Sequence, residues 1–334
     1  MPKSETIEDI LKVIRDHEVF LICSHANPDG DSIGSQLAFY SFLTEISKKA
    51  YFLKTNPIPF LYKFLPYSDD YQNQPNSVNI SDMEVAIILD CGNLDRIGDL
   101  SAKVKSECMI INIDHHSSNG YFGKHNFVDI NASATSEIVF RFIKQSGLKI
   151  GYDRAVCLYT GIITDTGFFR YANTTPEAHR IIADLIEEGI KPDRISELIY
   201  DVVPYHKAKL FGLALETLRK SDDGKIAWMS VTLDMYKQTQ TDVEDTERFI
   251  DYIRSIEGIE IAIFLRETDK DVKVSLRSKN GNQERQAINV GYIASEFGGG
   301  GHPVAAGCNI DKPLDSALDL ILGKIRNAIN SFQF

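Results

Sequence analysis

Eight aspartates and histidines of this sequence have the residue types and positions of metal ligands. They follow short apolar runs or lie in turn-prone segments: His25, Asp29, Asp31, Asp90, Asp114, His115, His116 and Asp165. Histidine is scarce, with 8 in the chain, and two adjacent histidines directly after an aspartate have no ready structural explanation. A lone aspartate after a strand is usually a turn residue or a helix cap, but the combination predicts a metal site.

The ligand set favours two divalent ions over one. Six of these side chains, four carboxylates and two imidazoles, would form a mixed and mostly hard ligand set, and the absence of cysteine argues against structural zinc. Mn²⁺ fits best, with Co²⁺, Fe²⁺ or Zn²⁺ as alternatives. Mg²⁺, which usually takes fewer protein ligands, is a substitute. Two ions bridged by a carboxylate activate water and clamp both oxygens of an in-line phosphoryl displacement.

Strands, and the loops that follow them in the sequence, must position these residues. The apolar runs that predict strands are Val19–Cys23, Met83–Leu89 and Met109–Ile113. The helices predicted among and after them are Ile33–Ile46, capped by Ser32, then Thr135–Gln145 and Asp153–Ile163. This order is typical of an α/β domain with a doubly wound, mainly parallel sheet. Sites in such sheets form outside the carboxyl ends of the strands.

The second half of the chain predicts a smaller α/β domain. We expect the first domain over residues 1–190, a helical linker over 191–220 and the second domain over 221–334. The linker has predicted helices at Pro192–Tyr200 and Pro204–Lys220. The second domain has predicted strands at Lys225–Val231, Ile259–Arg266 and Asp271–Ser278, and predicted helices at Asp242–Ile256 and Leu314–Ile329.

One strand and one glycine run of the second domain have the pattern of an anion site. Side chains alternate along a strand, so one face would carry the donors Lys273, Ser275, Arg277 and Lys279. For Lys273 a solvated strand face is the plainer interpretation. The run Gly298–Gly301, followed by His302, would let the backbone approach a ligand and form an N–H nest for an anion.

The net charge, the cysteine pattern and the absence of long apolar runs exclude some classes of binding partner and cell compartment. The net charge of −11 argues against long duplex nucleic acid, because proteins that track it usually carry a basic stripe. The 5 scattered cysteines include no CxxC pair, which favours a reducing compartment. No apolar run approaches the ~18 residues of a membrane helix, and the first residues lack a signal-peptide core. We therefore expect a cytoplasmic protein with no membrane partner.

Four ordered motifs make the sequence resemble the DHH phosphoesterase family. They are S-H-A-N-P-D-G-D-S-I-G-S, L-D-C-G-N-L-D-R-I-G-D, I-D-H-H and T-D-T-G-F-F. The segment G-G-G-G-H-P-V-A-A-G-C is similar to the signature of the C-terminal domain associated with that family. The motifs span nearly the whole chain. The short two-domain architecture most resembles the nanoRNase subgroup, which are bifunctional oligoribonucleases and phosphatases of pAp (3′-phosphoadenosine 5′-phosphate).

The resemblance implies a role for each candidate residue. One Mn²⁺ would be held by His25, Asp29 and Asp90. The other would be held by Asp31, Asp90, His115 and Asp165, so that Asp90 bridges the two ions. His116 would face the scissile phosphate and stabilise its developing charge, while Asp114 would support the neighbouring histidines. Substrate would be bound, across a cleft between the domains, by Arg277, Ser275, Gly300, Gly301 and His302.

The implied activity is hydrolysis of short RNA, of about two to five nucleotides, to mononucleotides, with removal of the 3′-phosphate of pAp as a second activity. A hydrolase of linear dinucleotides such as pApA or pGpG, from cyclic-dinucleotide signalling, would use the same site. The non-enzymatic alternative is a nucleotide-binding sensor on a catalytically inactive phosphoesterase scaffold, which the intact set of metal ligands disfavours. The sequence leaves a homodimer open.

Overall fold

The computed structural model describes residues 4–74, 79–279 and 288–331, except for the side chains of His302, Asn330 and Ser331. Two compact units make up the chain, Met1–Val202 and Val203–Phe334. Each unit has its own sheet and its own buried core.

The first unit contains a five-stranded sheet in the order β2-β1-β3-β4-β5, and every neighbouring pair is parallel. Its strands are β1 (Val19–Cys23), β2 (Lys49–Phe52), β3 (Val85–Leu89), β4 (Met109–Asp114) and β5 (His125–Val128). Its helices are α1 (Ile7–Asp16), α2 (Gly30–Glu45), α3 (Ser68–Asn73), α4 (Ser101–Glu107), α5 (Thr135–Gln145), α6 (Gly151–Asp165), α7 (Pro176–Glu187) and α8 (Pro192–Ser196).

Both faces of this sheet are covered, because successive side chains of its strands enter different cores. In β1, Phe20 and Ile22 enter the larger core, which contains residues of α1, α2, α5 and α6. Leu21 and Cys23 enter a smaller core together with Val104 of α4. The doubly wound, parallel α/β domain predicted from the sequence is thereby confirmed.

Helices α2 and α6 pack closely because two glycines of α2 face α6. A Cβ added at Gly34 would collide with the backbone carbonyl of Cys157, and a Cβ at Gly30 would collide with the side chain of Thr164. The close approach carries the start of α2 toward the end of α6. Asp31 is thereby brought near Asp165, although more than a hundred residues separate them in the chain.

The predicted bounds of helices α2 and α6 were wrong, and β3 begins at Val85 rather than Met83. Helix α2 begins at Gly30 rather than Ile33, and Asp29 caps it instead of Ser32, since the Asp29 side chain accepts hydrogen bonds from the backbone N–H groups of Asp31 and Ser32. Helix α6 continues two residues beyond the predicted end, so Asp165 is its last residue rather than a loop residue. Strands β2 and β5 and helices α1, α4 and α7 were not predicted.

The second unit contains a six-stranded sheet in the order β10-β11-β9-β8-β7-β6, and only β7 and β8 are parallel. Its strands are β6 (Arg219–Lys220), β7 (Ile226–Val231), β8 (Ile261–Glu267), β9 (Val272–Ser278), β10 (Gly300–His302) and β11 (Ala305–Ile310). Its helices are α9 (Tyr205–Glu216), α10 (Leu233–Thr239), α11 (Phe249–Ser255), α12 (Val290–Ser295) and α13 (Leu314–Ser331).

One face of the second sheet is covered along most of its width, and the other only in part. Helices α12 and α13 pack on the face that carries Val274 and Leu276. On the opposite face, α9, α10 and α11 cover β7 and β8, where Phe264 lies in their core. The same face of β9 carries the exposed Lys273 and the half-buried Ser275 and Arg277. The predicted alternation along this strand is confirmed.

The segment predicted as a linker is shared between the two units. Helix α8 and the π-helical turn Glu197–Asp201 bury Ile195 and Ile199 in the first core. Helix α9 buries Leu210 in the second unit. The predicted helix over 204–220 was too long, because Arg219–Lys220 forms β6 against β7.

The helix predicted over 242–256 is interrupted. A 3₁₀ turn covers Glu244–Thr246, and α11 starts only at Phe249, after Arg248 in a left-handed conformation with φ 73°.

Among the helices that the structure describes, none combines the length and the apolar character needed to cross a membrane.

Candidate active site

Seven of the eight candidate residues of the first unit form a connected set at the carboxyl ends of β1, β3 and β4. They lie in overlapping groups whose potential ligand atoms are within 4.8 Å of one another: His25, Asp29 and Asp90; Asp90, His115 and His116; Asp31, His115 and Asp165. Asp114, the eighth, is the last residue of β4 and contacts His116. The expected convergence at the strand ends is therefore present.

Asp90 is the residue that the first two groups share. Its carboxylate lies 3.4 Å from Nε2 of His25 and 3.6 Å from Nε2 of His115, and it accepts a hydrogen bond from Oγ1 of Thr135 at 3.2 Å. Burial would raise the pKa of Asp90, but the hydrogen bond from His25 and the charges of His115 and His116 hold this pKa below its usual range.

The backbone at Asp90 is in the left-handed region, with φ 54°. That conformation is uncommon for residues other than glycine, although aspartate and asparagine tolerate it best. It turns the chain sharply after β3, and backbone strain of this kind collects at functional sites.

Backbone carbonyls orient two of the histidines. Nδ1 of His25 lies 2.8 Å from the carbonyl oxygen of Ala26, and Nδ1 of His115 lies 3.3 Å from that of Ala132. In the neutral ring, an Nδ1–H donated to a carbonyl leaves Nε2 as the lone-pair atom, which is the arrangement of a metal-binding imidazole. In both residues Nε2 is the atom that faces the carboxylates.

Asp31 is held in place by the first turn of α5, which begins more than a hundred residues later in the chain. Its two carboxylate oxygens accept hydrogen bonds from the backbone N–H groups of Thr135 at 2.7 Å and Ser136 at 2.8 Å. The N-terminus of a helix favours a negative charge. Even so, burial, followed by the charge of Asp90, raises the pKa of Asp31 to about 7.

Asp165 completes the group that contains Asp31 and His115. Its carboxylate lies 3.5 Å from Nε2 of His115 and accepts a hydrogen bond from Nδ2 of Asn173 at 3.3 Å. Burial raises the pKa of Asp165 well above its usual value. Burial would lower the pKa of His115, but the carboxylates of Asp165, Asp90 and Asp31 raise it to about 9.

The site thus crowds several buried acids around few imidazoles, and its electrostatics suit cations. The raised pKa values of the buried Asp31 and the half-buried Asp165 indicate that the negative charge exceeds what the histidines neutralise. A divalent ion between such groups would relieve the repulsion, and oxygen and imidazole ligands together suit Mn²⁺ or a similar ion. The donor set therefore fits the predicted metals.

His116 is held by a different partner from the other two histidines. Its Nδ1 lies 2.7 Å from Oδ1 of Asp114, a residue with no solvent exposure. Oδ2 of Asp114 accepts a hydrogen bond from Nδ2 of Asn119 at 2.6 Å. Burial would lower the pKa of His116, whereas the bond to Asp114 and the charge of Asp90 raise it. Asp114 therefore positions His116 and favours its protonated form.

In the second unit, register places the predicted substrate-binding residues around β9. Arg277 is paired with Ala305 of β11, and Ala305 is paired with His302 of β10. Ser275 is paired with Gly307, which in turn is paired with Gly300. Gly301 of β10 has φ 144°. The side chain of His302 lies outside the described part of the structure.

The nest predicted for the glycine run does not form as expected. The backbone N–H groups of Gly298 and Gly299 donate to the carbonyls of Ser295 and Ala294, so they close the last turn of α12. Gly300 and Gly301 belong to β10, which pairs with β11. Half of the run is therefore a helix terminus and the other half is a strand.

Both units of the chain match domains of a known protein family. Residues 19–162 match the model of the N-terminal domain of the DHH family, and residues 223–331 match that of the DHHA1 domain. The bifunctional oligoribonuclease and PAP phosphatase NrnA of Thermus thermophilus is 33% identical over 330 residues, which are 98% of this chain and 94% of that protein. The chain belongs to the DHH family.

Two further relatives of this DHH protein have a similar length. The protein of the same name from Bacillus subtilis is 27% identical over 310 residues, which are 90% of this chain and 92% of the relative. The crystal structure of an exopolyphosphatase-related protein from Bacteroides fragilis is 30% identical and has a TM-score of 0.89, covering 98% of this chain and 97% of that one. The family resemblance noted from the motifs is confirmed.

Three polar residues that contact the site of the DHH protein were not predicted. Thr135 contacts Asp31 and Asp90, Asn119 contacts Asp114, and Asn173 contacts Asp165. Asn119 follows the two histidines within the segment S-S-N-G, which by itself indicates a turn. Only the fold shows which carboxylate each of these side chains reaches.

Proposed function

We propose that this protein is a metal-dependent phosphoesterase that hydrolyses very short oligoribonucleotides to mononucleotides and removes the 3′-phosphate of pAp. The observation that carries the proposal is the group of acids and imidazoles around Asp90, whose carboxylate lies close to both His25 and His115. The relatives named as oligoribonucleases and PAP phosphatases support the substrate class.

The metal sites that we propose follow the observed groups. One ion would be held by the group His25, Asp29 and Asp90, and the other by the group Asp31, His115 and Asp165 together with Asp90, which lies 3.6 Å from His115. Two bound Mn²⁺ ions would supply an activated water and would balance the charge on the phosphate. Co²⁺ or Mg²⁺ would serve as substitutes.

The chain's own residues have separate tasks in this proposal. His116, positioned and charged through Asp114, would stabilise negative charge that develops on the phosphate. Thr135 and the first turn of α5 would keep Asp31 and Asp90 in place through the bonds that they donate. Arg277 and Ser275 of β9, with Gly300, Gly301 and His302 of β10, would bind the substrate.

One parallel assay tests the proposal. The purified protein, stripped of metal with EDTA and dialysed, is given Mn²⁺ and then offered pAp, a dinucleotide, a 24-mer RNA and pyrophosphate in separate reactions. We expect rapid hydrolysis of pAp and the dinucleotide, slow hydrolysis of the 24-mer and none of pyrophosphate. Full activity in excess EDTA, or equal rates for the dinucleotide and the 24-mer, would contradict it.

The same assay, extended to pApA and pGpG, distinguishes the alternative substrates. A marked preference for one of these linear dinucleotides over other short RNAs would indicate a hydrolase of signalling dinucleotides. Nucleotide binding without any turnover would indicate a sensor. Whether the protein acts as a homodimer is measured separately, by light scattering.

A further inference from the structure

A row of polar side chains crosses the second sheet at some distance from Arg277. Arg266 of β8 is paired with Lys273 of β9, and Lys273 is paired with Asn309 of β11. Residues paired in this way lie on the same face with their Cβ atoms about 4.5–5.5 Å apart. We call these three residues the cross-strand row.

Two like charges in the cross-strand row lie directly opposite each other, an arrangement that destabilises a sheet unless something compensates it. Among the described residues, neither Arg266 nor Lys273 has a carboxylate within 4.0 Å. Asp271 is the nearest acid along the chain to Lys273, but it accepts hydrogen bonds from Asn309 at 2.7 Å and Thr268 at 2.7 Å. Glu244, whose negative charge also attracts Lys273, is exposed to solvent.

Arg266 is held in place although it has no acidic partner. Its guanidinium lies 5.1 Å from the ring centroid of Phe264, and Nη2 donates a hydrogen bond to Oγ of Ser275. Its Nε is buried and has no hydrogen-bond partner. A fixed cation with an unused buried donor has the properties of an anion-binding group.

A cavity of about 350 Å³ opens beside Lys273 and Asn309 of the row, and Ser275, to which Arg266 donates, also lines it. Its lining includes Lys273, Ser275 and Asn309 from the strands, and Phe297 and Gly299 from the segment before β10. Gly307, opposite Ser275, has no side chain to fill the space. The volume lies within the range of pockets for small ligands, about 300–1,000 Å³.

We propose that the cross-strand row, together with Ser275, binds a second phosphate group of the nucleotide substrate, with the attached nucleoside in the neighbouring cavity. This inference rests on the proposed function. Lys273 is four residues from Arg277 along β9, or about 13 Å at the usual rise per residue. One phosphate at Arg277 and another at the row would therefore belong to different positions of the same short substrate.

The test measures binding rather than turnover. The full-length protein is titrated in EDTA with AMP, which has one phosphate, and with pApA, which has two, at several salt concentrations. We expect Lys273→Ala to weaken binding of pApA about tenfold, the effect of losing one charged hydrogen bond, and binding of AMP less than about twofold. The slope of log K against log salt for pApA should fall by about 0.7, as expected for one lost phosphate contact of a single strand.

Two further variants complete the test. Arg266→Gln should show the same selective loss, and its melting temperature is checked because Arg266 packs on Phe264. Lys220→Ala is the matched control, since Lys220 is an exposed lysine in β6 at the opposite edge of the same sheet. It should leave the affinity and the salt slope unchanged.

The outcomes separate this inference from the proposed function. If the wild type hydrolyses pApA with Mn²⁺ while Lys273→Ala and Arg266→Gln bind it like the wild type, the second phosphate site is overturned and the proposed function stands. Equal losses for AMP and pApA would also overturn it, because a second site must discriminate between them. A wild type that neither binds nor hydrolyses pApA would overturn both.

Discussion

The first unit gathers acids and imidazoles at one point, whereas the second unit spreads cations along a strand. Around Asp90, half of the candidate residues are buried, and each is held by a further hydrogen bond, as Asp31 is held by the first turn of α5. Along β9, Lys273 is exposed, and Ser275 and Arg277 are half-buried. The charges of the two regions are opposite in sign.

This contrast matches two different tasks. Groups that act on the reacting phosphate must be fixed in position, because small displacements cost much of the rate. Groups that hold the remainder of a flexible substrate tolerate more freedom and contribute mainly affinity. Variants of the first unit should therefore lower kcat, and variants of β9 should raise KM.

The largest effect is expected at Asp90. Asp90→Asn keeps the side-chain shape and tolerates the left-handed backbone, but it removes the charge that both proposed ions share. Loss of residues around a metal site that do not bind the ion already costs about 10–100-fold, so we expect kcat to fall by more than about 100-fold. Asp99→Asn, at an exposed position of the same unit, is the control. A variant with a third of the wild-type kcat would show that Asp90 is not shared.

A smaller loss is expected when His116 loses its positioning partner. Asp114→Asn replaces the acceptor of the His116 Nδ1 bond with an amide, which no longer favours the protonated ring. We expect kcat to fall about 10–100-fold with little change in KM. His116→Ala should lower kcat at least as much, and adding Asp114→Asn to it should have little further effect. Independent, multiplying losses would contradict the pairing.

Arg277→Ala should change affinity rather than turnover. Removal of one charged hydrogen bond to a phosphate should raise KM about tenfold, while kcat at saturating substrate stays within about twofold. Lys279→Ala is the matched control just beyond the end of the same strand, since Lys279 is exposed and its Nζ donates to the carbonyl of Ile256. An unchanged KM for Arg277→Ala would remove Arg277 from the substrate site.

The smallest effect concerns the pH dependence of stability without metal. Asp31 and His115 have raised pKa values, about 7 and about 9, so the folded state binds more protons than the unfolded state. The free energy of unfolding should then fall as the pH rises. The contribution of His115 to the free energy of unfolding is complete below about pH 6.5 and is lost as the pH rises through about 9. The contribution of Asp31 is lost as the pH rises from about 4 to about 7.

Thermal unfolding in EDTA measures this dependence. We expect the melting temperature of the first unit to be lower at pH 9 than at pH 6 by about 4 °C or more. Asp31→Asn, which removes one of the titrating groups, should reduce the difference. Added Mn²⁺ should reduce it as well, because metal binding requires the deprotonated ligands. A melting temperature that rises with pH would show that the carboxylates are not crowded.

Much of the first unit could be predicted because its strands are short apolar runs that end in polar residues. The runs before Ser24, Asp90 and Asp114 predicted β1, β3 and β4, and the polar residues that follow each run predicted the site. β2 and β5 were missed because they are short edge strands with mixed composition. The cap of α2 was misplaced because Asp29 and Ser32 both have capping side chains, and only the structure shows which one accepts the bonds.

The rest of the site depended on contacts between distant segments. No local pattern indicates that Asp31 accepts hydrogen bonds from the first turn of α5, since more than a hundred residues separate them. Likewise, the alternation along β9 predicted its donor face, but Arg266 joined that face only through the pairing of β8 with β9. Register between strands is a property of the folded sheet.

Equilibrium binding of Mn²⁺ tests the central claim most directly, because it counts the ions that the residues around Asp90 hold. The metal-free wild type is dialysed against Mn²⁺ and the bound metal is measured per chain, alongside Asp90→Asn and the control Asp99→Asn. We predict two ions for the wild type and the control, and a loss of affinity at both sites for Asp90→Asn. A wild type that binds one ion or none, or an Asp90→Asn variant that binds two ions as tightly as the wild type, would contradict a centre shared through Asp90.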